Sequence, residues 1–365
     1  MKKKILVGAT ASTNYGDNVI CETFRGLLQK YTGERFELVH VEYTPWMLRI
    51  ILKILKVYSF FTKKHYDELI YKLRRHFLGK KLRKENSDVI FVGGQMFFDY
   101  FARYVRLFVE SSVIANTKVY FYACGVGRLS SINKEHLRQV LNKDNVGLLS
   151  VRDNLDSIKE LNPEVVFKPD VAICCNLIFD DIKKSSKEDN LVGLGVISIS
   201  FYNKNNKGNE ISEEAYLSSM CNMIENIHIL GFKVELFCNG EKGDYEVAVK
   251  IAQRFSEKVV VSERPTNARE LIKQITKYNY VIASRLHALI ISYSYNIPFW
   301  GMGWDAKVKE FFDLIGHSER YVDLSMLNDV DWRMSLQELS QGIKLERREE
   351  LREEVLNTLK KISEF

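Results

Sequence analysis

Apolar runs of strand length alternate with helix-length segments along this chain, and the whole alternation occurs twice. In the first half the runs are KILVGA, FELVHVEY, DVIFVGG, KVYFYACGVG, GLLSVRD and VVFKPDVAIC, with helices expected over about 17–31, over about 99–116 and in a short stretch ending at Leu161. In the second half they are LVGLGVISIS, KVELFCNG, KVVVSE and YVIASR, separated by helical patterns over about 212–230, 244–255 and 267–277 and followed by the helical HALIISYSYN. Strands alternating with helices argue for parallel, doubly wound sheets. The polar stretch DDIKKSSKEDN, residues 180–190, lacks periodicity and reads as a linker. The expected architecture is therefore two α/β domains facing across a cleft, residues 1–178 and 192–330, with the site in that cleft. The segment 331–365, rich in Glu-to-Lys/Arg spacings, is expected as a C-terminal helix that packs back.

A chain of 365 residues with 46% hydrophobic content can fill two cores. Its six cysteines show no CxxC or Cys/His ligand spacing and are expected as reduced, structural thiols of a cytoplasmic protein. The basic start MKKKILVGAT has too short an apolar run for a signal peptide and reads as a first buried strand. The net charge of +6 is unevenly placed. From Trp46 to Lys84 twelve Lys/Arg face two acids, a surplus of ten that leaves the remainder of the chain mildly acidic. Within that insertion Arg49, Lys53 and Lys56 form one cationic stripe on an otherwise apolar segment. Such a segment suits either an interfacial helix on anionic lipid at the cytoplasmic face of a membrane, or a helix packed on the first domain with a solvated stripe. No nucleic-acid-binding pattern accompanies it, so no nucleic-acid partner is expected.

Each notable polar cluster falls just after an apolar run, where ligands of an open parallel sheet collect. TNYGDN offers Asn14, Gly16 and Asp17, as a tight turn with helix caps or as a ligand loop. Gly93-Gly94 after DVIFV and Gly125 within ACGVG let a ligand approach the backbone. Arg152 and Asp153 end one run and open a helix; Arg152 can hold a carboxylate or phosphate with two parallel hydrogen bonds, or pair with Asp153 or Asp156 on the surface. Arg285 and His287 lie two residues apart beyond YVIAS, an anion site with a proton donor if both face the cleft beside the next helix N-terminus. Further on, Gly301 and Gly303 are expected to form a turn. Lys307 stands in the first turn of a helix, opposing the dipole unless Asp305 or a bound anion compensates.

Taken in order, TNYGDN, DVIFVGG, GVG, SVRDNLDSIKEL, KPDVA and SRLHALIISYSYNIPFWGMGWDAKVKEFF resemble the polysaccharide pyruvyl transferase family over about residues 5–316. The resemblance implies a GT-B-like fold of two Rossmann-like domains and phosphoenolpyruvate as donor. It further implies transfer of pyruvate to a saccharide acceptor, free or lipid-linked, commonly as a cyclic ketal. It makes Arg152 and Arg285 clamps for the donor and His287 the acid. Gln95 departs from the family pattern, standing where a third Gly often follows the Gly-Gly pair. No cofactor beyond phosphoenolpyruvate as co-substrate is expected, and no metal. Two other readings stay open: a GT-B-type glycosyltransferase with a nucleotide-sugar donor, and a non-catalytic sugar-binding protein.

Overall fold

The computed structural model describes residues 3–44, 66–182, 190–255, 258–340, 342 and 346–364. It divides into two units, Met1–Ala11 with Phe24–Asp170 and Val355–Phe365, and Ser12–Thr23 with Val171–Glu354.

In the first unit β1 (Lys3–Gly8), β2 (Glu37–His40), β3 (Ser87–Phe91), β4 (Gln95–Phe97), β5 (Val119–Val126), β6 (Val146–Val151) and β7 (Val166–Phe167) form a parallel sheet. The order is β2-β1-β3-β5-β6-β7, with β4 also on β5. Strands β3 and β5 are buried at every position, as a sheet covered on both faces requires. Phe91 stacks on Phe121 at 4.7 Å in the core. Its helices among the described residues are α1 (Tyr15–Thr32), whose first half groups with the second unit, α2 (Tyr66–Glu85), α3 (Asp99–Ala115), α4 (Ser131–Leu141) and α5 (Leu155–Lys159).

The second unit carries β8 (Leu191–Gly195), β9 (Lys233–Phe237), β10 (Val260–Val261), β11 (Tyr280–Ala283), β12 (Phe299–Gly303) and β13 (Tyr321–Asp323), again all parallel. Their order β10-β9-β8-β11-β12-β13, counted from β8, is the 3-2-1-4-5-6 order of a Rossmann sheet. The helices are α6 (Ile199–Asn205), α7 (Glu213–Ile229), α8 (Lys242–Ala252), α9 (Ala268–Thr276), α10 (Leu286–Ser294), α11 (Ala306–Ile315), α12 (Trp332–Ser340) and α13 (Glu346–Glu364).

Several elements differ from the sequence expectation. Helix α4 was not anticipated, because only Leu137, Val140 and Leu141 of it are buried and a mostly exposed helix has a weak apolar period. The run LVGLGVISIS is not one strand: β8 stops at Gly195, Ser198 stays extended as an N-cap, and Ile199 opens α6. Gly301 and Gly303 form no turn. Both lie in β12, where a Cβ would come within 2.1 Å of the Phe312 and Tyr321 rings respectively. Among the described residues, 331–365 hold two helices, α12 and α13. The latter packs back: Arg352 donates to the Asn176 side chain and the Ser294 carbonyl in the second unit, at 2.7 Å each. In the first unit Lys4 donates to the Ser363 carbonyl at 3.2 Å.

Of the basic insertion, residues 45–65, with Trp46, Arg49, Lys53 and Lys56, lie outside the described residues. The remainder is α2, packed on α3 with Arg75 on Glu110 at 2.8 Å and Lys81 on Glu37 at 2.7 Å. No helix among the described residues is long and apolar enough to cross a membrane.

Candidate active site

Ligands of an open α/β sheet bind outside the carboxyl ends of the strands, where the strand order reverses. In the second unit that point lies between β8 and β11, which run in register from Val192↔Tyr280 to Gly195↔Ala283. Strand β11 delivers Ser284 and Arg285 there. Arg285 is the extended N-cap of α10 and His287 the second residue of that helix, 9% and 5% exposed. The Arg285 guanidinium is held by Asp244 through a bidentate pair, Nε to Oδ2 at 2.7 Å and Nη2 to Oδ1 at 3.0 Å. Asp244 is fully buried and also accepts the Ser198 N–H at 2.8 Å, which fixes the chain leaving β8. The guanidinium lies 4.7 Å from the Phe201 ring centroid and 5.9 Å from that of Trp304. The arginine read from sequence as a bare anion clamp thus has its charge matched by a buried carboxylate. What it presents is a rigid, oriented fork.

Residues 12–23 belong to the same unit and complete this edge. Gly16 is the second residue of α1 and makes no tight turn. A Cβ there would sit 2.4 Å from both Cβ and Nδ1 of His287, so the glycine lets the helix start touch the imidazole. Asn14 does not cap through its Oδ1, which is buried without a partner; its carbonyl takes the Asp17 N–H at 3.1 Å. Asp17 places a carboxylate in the first turn of α1, where the helix dipole favours it. Lys307 is compensated as the sequence required: Asp305 caps α11 by accepting the Lys307 N–H and pairs with its ammonium at 3.2 Å. The ammonium also lies 4.5 Å from the Trp304 ring centroid.

Sequence reasoning missed Asp244, Asn239 and Ser284. Asn239 follows β9, its carbonyl accepting the Tyr15 N–H at 2.9 Å, and both its amide side-chain atoms are buried without a partner; so is Ser284 Oγ. Unmet buried polar groups cost free energy, and they gather where a ligand can satisfy them. The available signal was a small polar residue directly after each apolar run, LFCN and VIAS.

The other expected residues cluster in the first unit. Arg152, just past β6, pairs with Asp170 and, through Nε at 3.5 Å, with Asp153; both acids are buried, and the arginine side chain is 7% exposed. Asp153 also accepts the Val126 N–H at 2.6 Å. Asp156 pairs with Lys159 at 3.6 Å instead. A Cβ on Gly125 would lie 3.1 Å from Arg152 Nη2. Gly93 and Gly94, at φ 98° and 75°, adopt the left-handed conformation that glycine accepts freely, and the Gly94 carbonyl receives the Gly125 N–H at 2.7 Å.

Two parallel Rossmann-like units are the architecture of the GT-B class, and solved structures of that class are similar to this one. A UDP-GlcNAc 2-epimerase from Methanocaldococcus jannaschii aligns with TM-score 0.53 at 10% identity, covering 93% of this chain and 92% of its own. A glycosyltransferase from Rickettsia africae ESF-5 gives 0.54 at 11%, covering 99% and 96%. Acinetobacter baumannii MurG gives 0.50 at 10% over 100% of both. At such identities the likeness concerns the fold. No curated protein matches the chain in sequence. The family model described as polysaccharide pyruvyl transferase matches residues 14–306, a span that opens on Asn14 and takes in every residue of both clusters except Lys307, just past its end. The chain belongs to that family.

Proposed function

We propose that this protein transfers pyruvate from phosphoenolpyruvate to two hydroxyls of a saccharide, forming a cyclic ketal and releasing phosphate. The observation that carries the reading is the family match, within which Gly16 is pressed against His287 at the switch point of a Rossmann sheet. In this scheme His287 gives a proton to the methylene carbon, which becomes the methyl group and leaves C2 oxocarbenium-like. One saccharide hydroxyl attacks C2 and loses its proton to the imidazole. Phosphate departs with the C–O electron pair, and the second hydroxyl closes the ring as its proton passes to phosphate. Arg285, held flat by Asp244, orients the donor's oxyanions, and Arg152 is assigned the same role. The acceptor is a polysaccharide repeat, lipid-linked in one form, met at the cytoplasmic face of a membrane with the help of residues 46–84.

Incubating the protein with phosphoenolpyruvate and a panel of free and lipid-linked oligosaccharides, with mass spectrometry of the products, tests the reading. Pyruvylated saccharide and stoichiometric phosphate are expected. His287→Ala should lower kcat by about 10²–10⁴-fold with little change in KM. A normal kcat with raised KM would remove the acid role. The fold likeness to enzymes of nucleotide sugars favours one competing reading, a glycosyltransferase. Thermal stabilisation by a nucleoside diphosphate and none by phosphoenolpyruvate would reverse the ranking.

A further inference from the structure

We propose that the groove between α2 and α3 of the first unit is a phosphate-binding subsite, serving the phosphate or diphosphate that joins a saccharide acceptor to its lipid. The groove encloses about 340 Å³ and is lined by Asp67, Ile70, Tyr71, Arg74, Arg103, Tyr104 and Leu107. That volume falls in the range of small-molecule sites, and a few fixed polar groups among aromatic and aliphatic walls is their usual composition.

Its two arginines differ from their neighbours on the same helices. Arg75 and Arg106 share Glu110, at 2.8 and 2.7 Å. Arg74 and Arg103 make no ion pair among the described residues, and Arg74 Nε is buried without a hydrogen-bond partner. The preceding residues 45–65 contain five Lys/Arg and no acid, so that stretch cannot supply a carboxylate to either. The nearby Glu42 already receives the Tyr100 hydroxyl at 2.6 Å and the Tyr104 hydroxyl at 3.4 Å. Asp67 is the one acid of the lining, and it is exposed.

Both guanidinium groups lie against the same ring, and a hydrogen bond orients that of Arg103. Arg103 lies 4.6 Å from the Tyr104 ring centroid and donates to the Tyr104 hydroxyl at 2.8 Å; Arg74 lies 6.0 Å from the same centroid. A cation fixed on an aromatic ring loses little freedom when it binds, and two adjacent planar forks match tetrahedral oxyanions. A neutral saccharide would leave both charges unmatched.

The assignment of the phosphate to a lipid-linked acceptor rests on the pyruvyl-transfer reading, so the test has two arms. In the first, inorganic pyrophosphate is titrated into the full chain and into Arg74→Gln/Arg103→Gln at fixed ionic strength, with sulfate as control. The wild type should gain about 2 °C or more in Tm, a gain the double variant loses. Equal stabilisation of both proteins, or none of the wild type, overturns the subsite. In the second, KM is compared for a polyprenyl-diphosphate disaccharide and the same free disaccharide. The double variant should raise only the lipid-linked KM, by about tenfold. An equal rise for both, or no rise, overturns the assignment to the lipid-linked acceptor. Weaker sedimentation of the double variant with phosphatidylglycerol vesicles, beside an unchanged pyrophosphate response, would make these arginines a bare membrane-charge contact and sink the proposal. If the wild type transfers nothing from phosphoenolpyruvate, the pyruvyl-transfer reading fails, and the pyrophosphate arm still decides the groove.

Discussion

An alanine at position 16 would drive a methyl group to 2.4 Å from the His287 ring, and neither partner can retreat easily. The glycine is the second residue of a helix of 18, and the histidine is buried in the first turn of another. Gly16→Ala is expected to cost about 1–3 kcal/mol of stability by overpacking. It should also lower kcat by about 10²-fold through displacement of the imidazole, measured by denaturant unfolding and steady-state kinetics. The same site predicts a contrast at Asp244. Removing a carboxylate that is fully buried against Arg285 leaves an uncompensated charge, so Asp244→Ala should cost about 3–5 kcal/mol. Replacing both partners by apolar residues, Asp244→Leu with Arg285→Met, should cost far less while abolishing turnover. If the single and double variants unfolded at the same denaturant concentration, the Asp244 carboxylate would not be compensating a buried Arg285 charge.

The strands were the most legible elements. In a sheet covered on both faces the buried strands are mostly apolar, so β5, β11 and the VIF end of β3 stand out as continuous runs. Short or half-exposed elements were not, as α4 and α6 show. The glycines of β12 illustrate a different failure, because a local reading treats Gly301 and Gly303 as breakers. Their function is to lower the strand surface so that Phe312 of α11 and Tyr321 of β13 can lie on it. Gly301→Ala should therefore destabilise the second unit by about 1–3 kcal/mol, although alanine is the better strand former of the two. A neutral or stabilising result in thermal unfolding would restore the turn reading.

At the scale of the whole molecule, buried acids of weak strength make the fold sensitive to base. Burial pushes the Cys238 thiol up to about 11 and the Tyr293 and Tyr321 phenols to about 12, and it raises Cys124 and Tyr216 further. In the unfolded chain these groups release their protons near about pH 8.5 for Cys and 10 for Tyr. The native state holds more protons between those values and its own raised ones, so stability is complete below about pH 8.5 and falls as pH rises through about 9–11. Tm measured from pH 7 to 11 should be level at first and then decline. A level Tm through pH 11 would contradict the burial of these groups.

The sequence alone determined the two-fold alternation, the parallel sheets and the positions after each strand where site residues stand, because periodicity and strand-end polarity are local properties of a chain. It also carried the family, through motifs that run in order from TNYGDN to the Lys307 segment. Tertiary structure alone decided which side chains meet. Nothing in the stretch around Arg285 announces that Asp244, forty-one residues earlier, neutralises it. Nothing near Gly16 announces a histidine 271 positions later. Nothing in the stretch around Arg152 announces Asp170, eighteen residues later, as its partner. A residue's type and spacing set what it can bind. The partner it has already bound depends on how distant strands are ordered in the sheet, and that order is a property of the folded chain as a whole.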